Sequence, residues 1–179
     1  MDRFPRQARE IDTARLRLRP WRTSDAVIVR QLWTERDPRS RNRIDAEGHP
    51  TVDELRARIG KQLEESAETG LELLAIEEKD AGEFIGYCGL IVGRGTSEEP
   101  EIAYELLRRV QGNGYATEAA QAILDAARAT GRARLWATVR DWNAASFRVL
   151  EKIGFLDSGR RDPDPVRGDS VWMTWPAPE

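Results

Sequence analysis

The apolar period of the chain changes abruptly at Gln111-Gly112-Asn113-Gly114-Tyr115-Ala116. Ahead of this segment the apolar runs are short and broken by turn residues, which is the pattern of strands. Behind it, residues 116–130 carry Ala120, Ile123, Leu124 and Ala127 on one helical face and Glu118, Gln121, Asp125 and Arg128 on the other. Two closely spaced glycines therefore join a strand to a long helix, and the chain is neither all-α nor all-β. At 179 residues it buries about 70% of its unfolded surface, enough for one domain without disulfides or a structural metal.

The remaining elements follow from the same reading. Residues 14–21 alternate charge and apolar groups, so a half-buried strand is expected, with Leu16 and Leu18 inward, Arg15, Arg17 and Arg19 outward, and Pro20 ending the pairing. Ser24 or Asp25 caps a helix through Ala26, Val27, Val29, Leu32 and Trp33. Thr51-Val52-Asp53-Glu54 has the form of a capping box, ahead of an apolar stripe of Val52, Leu55, Ile59 and Leu63 that stops at Gly70. Residues 71–78, 84–92 and 101–106 read as an antiparallel meander, with Gly86 and Gly89 as bulge positions. A strand at 134–139, a helix at 144–152 closed by Gly154, and a hairpin of 155–161 with 170–175 complete the order. The expected fold is mixed α/β (α+β): a mostly antiparallel twisted sheet of about six to seven strands flanked by about four helices. It is expected as one domain over residues 1–179, with an ordered core over 12–176.

Several function classes are excluded early. The net charge of −3 lacks the basic excess of a nucleic-acid binder. The chain's one histidine, His49, and one cysteine, Cys88, make a zinc site or a disulfide framework untenable, so no metal is expected. The longest uncharged run, residues 84–93, is half the roughly 20 residues of a spanning helix. No apolar segment follows Arg3, Arg6 and Arg9, so neither a membrane partner nor export is expected, and the cytoplasm is the expected compartment.

The turn at 111–116 carries the chemistry. A helix N-terminus offers unpaired backbone N–H groups and the positive end of the helix dipole, and both attract phosphate. Gly112 and Gly114 remove the Cβ atoms that would hold an anion away. No Gly-Lys-Ser/Thr follows, so this is not a Walker loop. The third glycine and parallel sheet of a dinucleotide fold are also missing.

At these residues the sequence resembles a known family. The Gln-x-x-Gly-x-Ala pattern of Gln111, Gly114 and Ala116 is similar to the acetyl-coenzyme A signature of GNAT superfamily N-acetyltransferases. Four blocks in order carry the resemblance: Thr13 to Trp21, Glu101-Ile102-Ala103-Tyr104-Glu105-Leu106, Gly112 to Ala119, and Asn143-Ala144-Ala145-Ser146 with Leu150 to Phe155. Their form is nearest the ribosomal-protein-alanine (RimJ/RimL-like) branch. The resemblance implies that the strands at 101–106 and 134–139, the fourth and fifth of the fold, splay apart. It implies that backbone near Leu106 and Leu107 pairs with the pantetheine arm. The loop of Gln111, Gly112, Asn113, Gly114, Tyr115 and Ala116 then holds the diphosphate, Asn143 bonds the pantetheine, and Ser146 lies near the departing sulfur. Glu101 is the first candidate base and Glu105 the second. Glu105 stands where the branch usually has an aromatic residue, and Asn113 where many relatives carry a basic one.

The co-substrate implied is acetyl-CoA, and the acceptor a primary amine. An α-amine with a pKa near 7.7–8.0 is neutral in roughly a tenth of molecules at pH 7, a lysine side chain in only about 0.04%. That difference is worth about 3.4 kcal/mol and favours a protein or peptide N-terminus. The alternatives are a small amine (amino acid, polyamine or aminoglycoside), a longer or acidic acyl group, and a non-catalytic acyl-CoA sensor. A homodimer is common among relatives. Arg148 and Lys152, four apart on one helix face, could reach the adenosine phosphates but read first as surface residues; Trp33 and Trp142 are pocket-wall candidates, Cys88 a small buried side chain and His49 a loop residue without a catalytic role.

Overall fold

The computed structural model describes residues 5–40 and 42–176. Residues 1–4, 41 and 177–179 of the expected domain lie outside the described residues. The elements run β1 (Ile11–Asp12), β2 (Leu16–Arg19), α1 (Ala26–Glu35), α2 (Val52–Thr69), β3 (Leu73–Glu78), β4 (Glu83–Ile91), β5 (Glu101–Leu106), α3 (Tyr115–Ala129), β6 (Leu135–Arg140), α4 (Ala144–Lys152), β7 (Leu156–Asp162) and β8 (Ser170–Trp175). One eight-stranded sheet has the order β1-β2-β3-β4-β5-β6-β8-β7. Its β5–β6 pair is parallel and the other pairs are antiparallel. No described helix is long and apolar enough to cross a membrane.

The strand beyond the expected seven is β1, whose two residues pair with Leu18 and Arg17 and are too few to show a period. Local sequence chemistry fixes the other boundaries. The Thr51 hydroxyl accepts the Glu54 N–H at 3.3 Å and the Glu54 carboxylate accepts the Thr51 N–H at 2.6 Å, so the capping box forms. Gly70 closes α2 in the left-handed region at φ +69°. Of the two expected bulge positions only Gly86 borders one: Ile76 pairs with Gly86 but Glu77 with Phe84, leaving Ile85 as the extra residue, whereas Gly89 stays in register opposite Leu73. A Cβ on Gly86 would stand 2.1 Å from the Glu105 carbonyl oxygen, so β4 and β5 approach too closely there for any other residue. Six of the nine residues of β4 are buried, in two runs of three rather than alternately, as in a strand covered on both faces.

Arg19 corrects the reading of β2. It is buried, not outward: Nε donates to Glu77 at 2.5 Å, and Nη1 and Nη2 donate to the two Asp25 oxygens at 2.8 and 2.9 Å. Asp25 also accepts the Arg22 N–H at 2.8 Å, so its carboxylate closes the turn ahead of α1 instead of capping that helix. Leu16 and Leu18 point inward as expected, and Ala120, Ile123, Leu124 and Ala127 of α3 meet them in one core with Leu74, Ile76, Ile85 and Leu90.

Candidate active site

The strands β5 and β6 meet at one register pair, Glu101 with Trp136, and the Trp136 N–H donates to the Pro100 carbonyl at 2.9 Å. Beyond that pair β5 continues against β4 and β6 against β8, so the two diverge toward their C-terminal ends. A cavity of about 470 Å³ opens there. Its walls come from the C-terminal end of α1 (Leu32, Glu35), β5 (Tyr104, Glu105, Leu106), the first turn of α3 and the first turns of α4.

Alternation along β5 selects which backbone groups face this opening. The Leu107 N–H donates to Ile85 of β4 at 2.9 Å, so the N–H and C=O of Tyr104 and Leu106 are directed to the β6 side. Leu107 itself is buried and does not line the cavity. The Leu106 carbonyl accepts the Gln111 side-chain amide at 2.9 Å, which braces the turn between β5 and α3.

At the far end of the turn Gly112 and Gly114 have φ of +82° and +81°, conformations that glycine adopts without strain. Nothing lies within 4 Å of the position of a Cβ on Gly112. Gly114 is the N-cap of α3, and the first intrahelical bond runs from the Glu118 N–H to its carbonyl at 3.0 Å. The N–H groups of Tyr115, Ala116 and Thr117 consequently have no helical acceptor. Gln111, Gly112, Gly114, Tyr115, Ala116 and Thr117 line the cavity, whereas Asn113 does not. The Asn113 side-chain amide donates back to the Val110 carbonyl at 3.1 Å.

The opposite wall is α4. Asn143 caps it, its side-chain oxygen accepting the Ser146 N–H at 3.2 Å, and both residues line the cavity. Arg148 and Lys152 are exposed, as expected of surface residues, and they also border the cavity. Trp142 forms wall as expected, with the Arg39 guanidinium stacked 4.1 Å above its ring. Trp33 instead borders a separate, shallower hollow with His49 and Glu54.

Glu101 and Glu105 occupy different environments. Glu101 is outside the cavity lining. Its carboxylate accepts the Arg94 N–H and the Thr138 hydroxyl, the latter at 2.8 Å, at the closed end of the β5–β6 gap. Glu105 lines the cavity, with both oxygens held by the Arg36 guanidinium at 2.7 and 2.5 Å. Glu101→Gln is therefore expected to lower the melting temperature while turnover falls less than threefold. A tenfold loss of turnover at unchanged melting temperature would bring Glu101 back into the chemistry.

Tyr104 was not singled out by sequence reasoning, because an aromatic in a strand reads as packing. Its hydroxyl donates to the Ser146 carbonyl at 3.1 Å across the cavity floor, tying β5 to the first turn of α4. Burial pushes this phenol above its ordinary pKa, so it stays protonated.

The family model of the acetyltransferase (GNAT) domain matches residues 15–156. The chain belongs to the GNAT acetyltransferase family. This GNAT acetyltransferase is 29% identical over 158 residues to the uncharacterized N-acetyltransferase p20 of Bacillus licheniformis, covering 87% of the chain and 88% of that protein. It is 43% identical over 89 residues to the uncharacterized protein YkkB of Bacillus subtilis, a match spanning 48% of the chain and 51% of YkkB. Among solved structures, the acetyltransferase of Agrobacterium tumefaciens superposes with a TM-score of 0.73 at 26% identity, covering 98% of each chain. The ribosomal-protein-S5-alanine acetyltransferase of Vibrio fischeri superposes at 0.71 with 18% identity, over 92% of this chain and 94% of that one. Salmonella typhimurium yncA, solved with its cofactor acetyl-CoA, superposes at 0.70 with 20% identity, over 92% and 95%. The GNAT family is acetyl-CoA-dependent, and the residues present fit that group. Free amides at a glycine turn suit a diphosphate, the strand gap suits an extended amide arm, and two cations on α4 suit further phosphate.

Proposed function

We propose that this GNAT acetyltransferase passes an acetyl group from acetyl-CoA directly to a primary amine, foremost the α-amine of a protein or peptide N-terminus, as in the RimJ/RimL-like branch. One observation carries the reading: a continuous cavity is lined at once by the first turn of α3, the diverging β5 strand, α4 and the C-terminal end of α1. The first three surfaces suit the donor, and the α1 side is left for the acceptor.

Bound acetyl-CoA supplies an activated thioester; the protein binds and orients it. The N–H groups of Gly112, Gly114, Tyr115, Ala116 and Thr117 hold the diphosphate, with Arg148 and Lys152 adding positive charge. The backbone of Tyr104 and Leu106 pairs with the pantetheine amides, and the Asn143 side chain, already fixed as a cap, donates to the same arm. Glu105, oriented by Arg36, accepts an N–H of the incoming amine and aims its lone pair. A carbon–nitrogen bond forms as the carbon–sulfur bond breaks. The amine proton leaves to water through the open mouth, and the Ser146 hydroxyl donates a hydrogen bond to the departing thiolate. Direct transfer is supported by Cys88: it is fully buried, and burial raises its thiol well above the ordinary range, so it cannot carry the acetyl group.

An α-amine acceptor needs no strong base, since about a tenth of it is neutral at pH 7. Thiol release from acetyl-CoA should be followed with an alanine-initiated peptide, a free amino acid, spermidine and an aminoglycoside, beside calorimetry of CoA binding. The peptide is expected to give the highest kcat/KM, rising about tenfold per pH unit and levelling near pH 8. Tight CoA binding without turnover on any amine would make the chain an acyl-CoA sensor instead.

A further inference from the structure

Arg15, just ahead of β2, reaches across to the glycine turn. Its Nε donates to Glu118 Oε2 at 2.7 Å and its Nη1 to the Asn113 carbonyl at 2.9 Å, and its guanidinium lies 4.5 Å above the Tyr115 ring. The other Glu118 oxygen accepts the Arg15 N–H at 2.8 Å and the Thr13 hydroxyl at 2.6 Å. Neither Arg15 nor Asn113 lines the cavity, while Gly112 and Gly114 on either side do.

We infer that Arg15 is a positioning residue for the anion cradle, holding the glycine turn in its binding geometry and cancelling the charge of Glu118. The first effect follows from peptide planarity. In a trans peptide the C=O and the next N–H point opposite ways, so holding the Asn113 carbonyl on the Arg15 side turns the Gly114 N–H toward the cavity. The second is electrostatic. Glu118 sits in the first turn of α3, where a carboxylate suits the helix dipole but repels a phosphate bound at the same terminus. Burial acts to protonate Glu118, yet the Thr13 hydroxyl and the Arg15 N–H and guanidinium hold it below its ordinary pKa, so it is charged in use. Arg15 is the cation that neutralises it.

The inference rests on the proposed coenzyme A site, and the test separates the two. Calorimetric Kd for CoA, KM for acetyl-CoA, kcat and melting temperature are measured for wild type, Arg15→Met, Arg15→Lys and Arg15→Met with Glu118→Gln. Arg15→Met is expected to raise Kd and KM about tenfold, equivalent to about 1.4 kcal/mol, with a much smaller change in kcat. Arg15→Lys, which keeps the charge and loses the fork, should recover about half of that loss on a logarithmic scale. Adding Glu118→Gln should tighten binding relative to Arg15→Met alone, because the uncompensated carboxylate is gone. Inhibition by pantetheine, which lacks phosphates, should be the same in wild type and Arg15→Met. A wild-type Kd for CoA in Arg15→Met, or an equal loss for pantetheine, overturns the inference. If Arg15→Met does not fold, a wild-type Kd in Arg15→Lys overturns it. Wild-type protein that fails to bind CoA overturns the proposed function as well.

Discussion

Gly114→Val is expected to raise the Kd for CoA at least 100-fold, about 2.7 kcal/mol, in a protein that still folds. The reason is conformational rather than a lack of room. Gly114 sits at φ +81°, and a Cβ there would meet only the Arg15 Nη2 atom, at an ordinary 3.5 Å. A β-branched residue strongly disfavours that region, so valine either strains the turn by about 1–3 kcal/mol or returns the backbone to negative φ. Either response moves the N–H groups of Gly114 and Tyr115 off the cavity and disturbs the hold of Arg15 on Asn113. Because the turn lies at the surface end of α3, the melting temperature should fall by only about 2–4 °C per kcal/mol of strain. Calorimetry beside thermal melting checks both halves. A CoA affinity within threefold of wild type would show that the turn is no cradle.

The largest stability loss is expected for Arg19→Met. Arg19 and Asp25 have side-chain exposures of 6% and 8%, and Glu77 of 19%, so little water screens the cluster. Methionine fills most of the volume but strands the buried Asp25 carboxylate without its cation and leaves Glu77 only the more distant Arg22, at 3.7 Å. Removing one partner from a buried pair costs about 3–5 kcal/mol, because the remaining charge keeps its desolvation penalty. Adding Asp25→Asn to Arg19→Met should recover at least about 1 kcal/mol by removing one stranded charge. Urea unfolding reads both variants. A loss below about 1 kcal/mol would mean that the cluster behaves as a surface ion pair.

What the sequence shows well is much of what depends on period and capping, the cap of α1 excepted. The capping box at Thr51, the stripe of α3 and the bounds of α4 all follow from spacing that the fold preserves. The glycine turn is legible for the same reason, since the positive φ of Gly112 and Gly114 and the helix start behind them are local backbone features. Arg19 is not legible, because alternation places a side chain on a face but cannot see the Asp25 carboxylate folding back over it. Glu101 shows the same limit. Its strand position follows from the pattern, but its partners, Arg94 and Thr138, arrive from a loop and a neighbouring strand. Tyr104, Arg148 and Lys152 belong to the cavity through the divergence of β5 and β6, a tertiary feature that no local window contains. Glu105 is readable as a candidate, whereas Arg36, 69 residues earlier in the chain, is not.

The most direct measurement is a crystal structure of the protein with CoA bound. The diphosphate oxygens are expected within about 3 Å of the N–H groups of Gly112, Gly114, Tyr115, Ala116 or Thr117, with the pantetheine arm between β5 and β6. A diphosphate held elsewhere, with those amides turned to solvent, would contradict the assignment of this turn as the donor site.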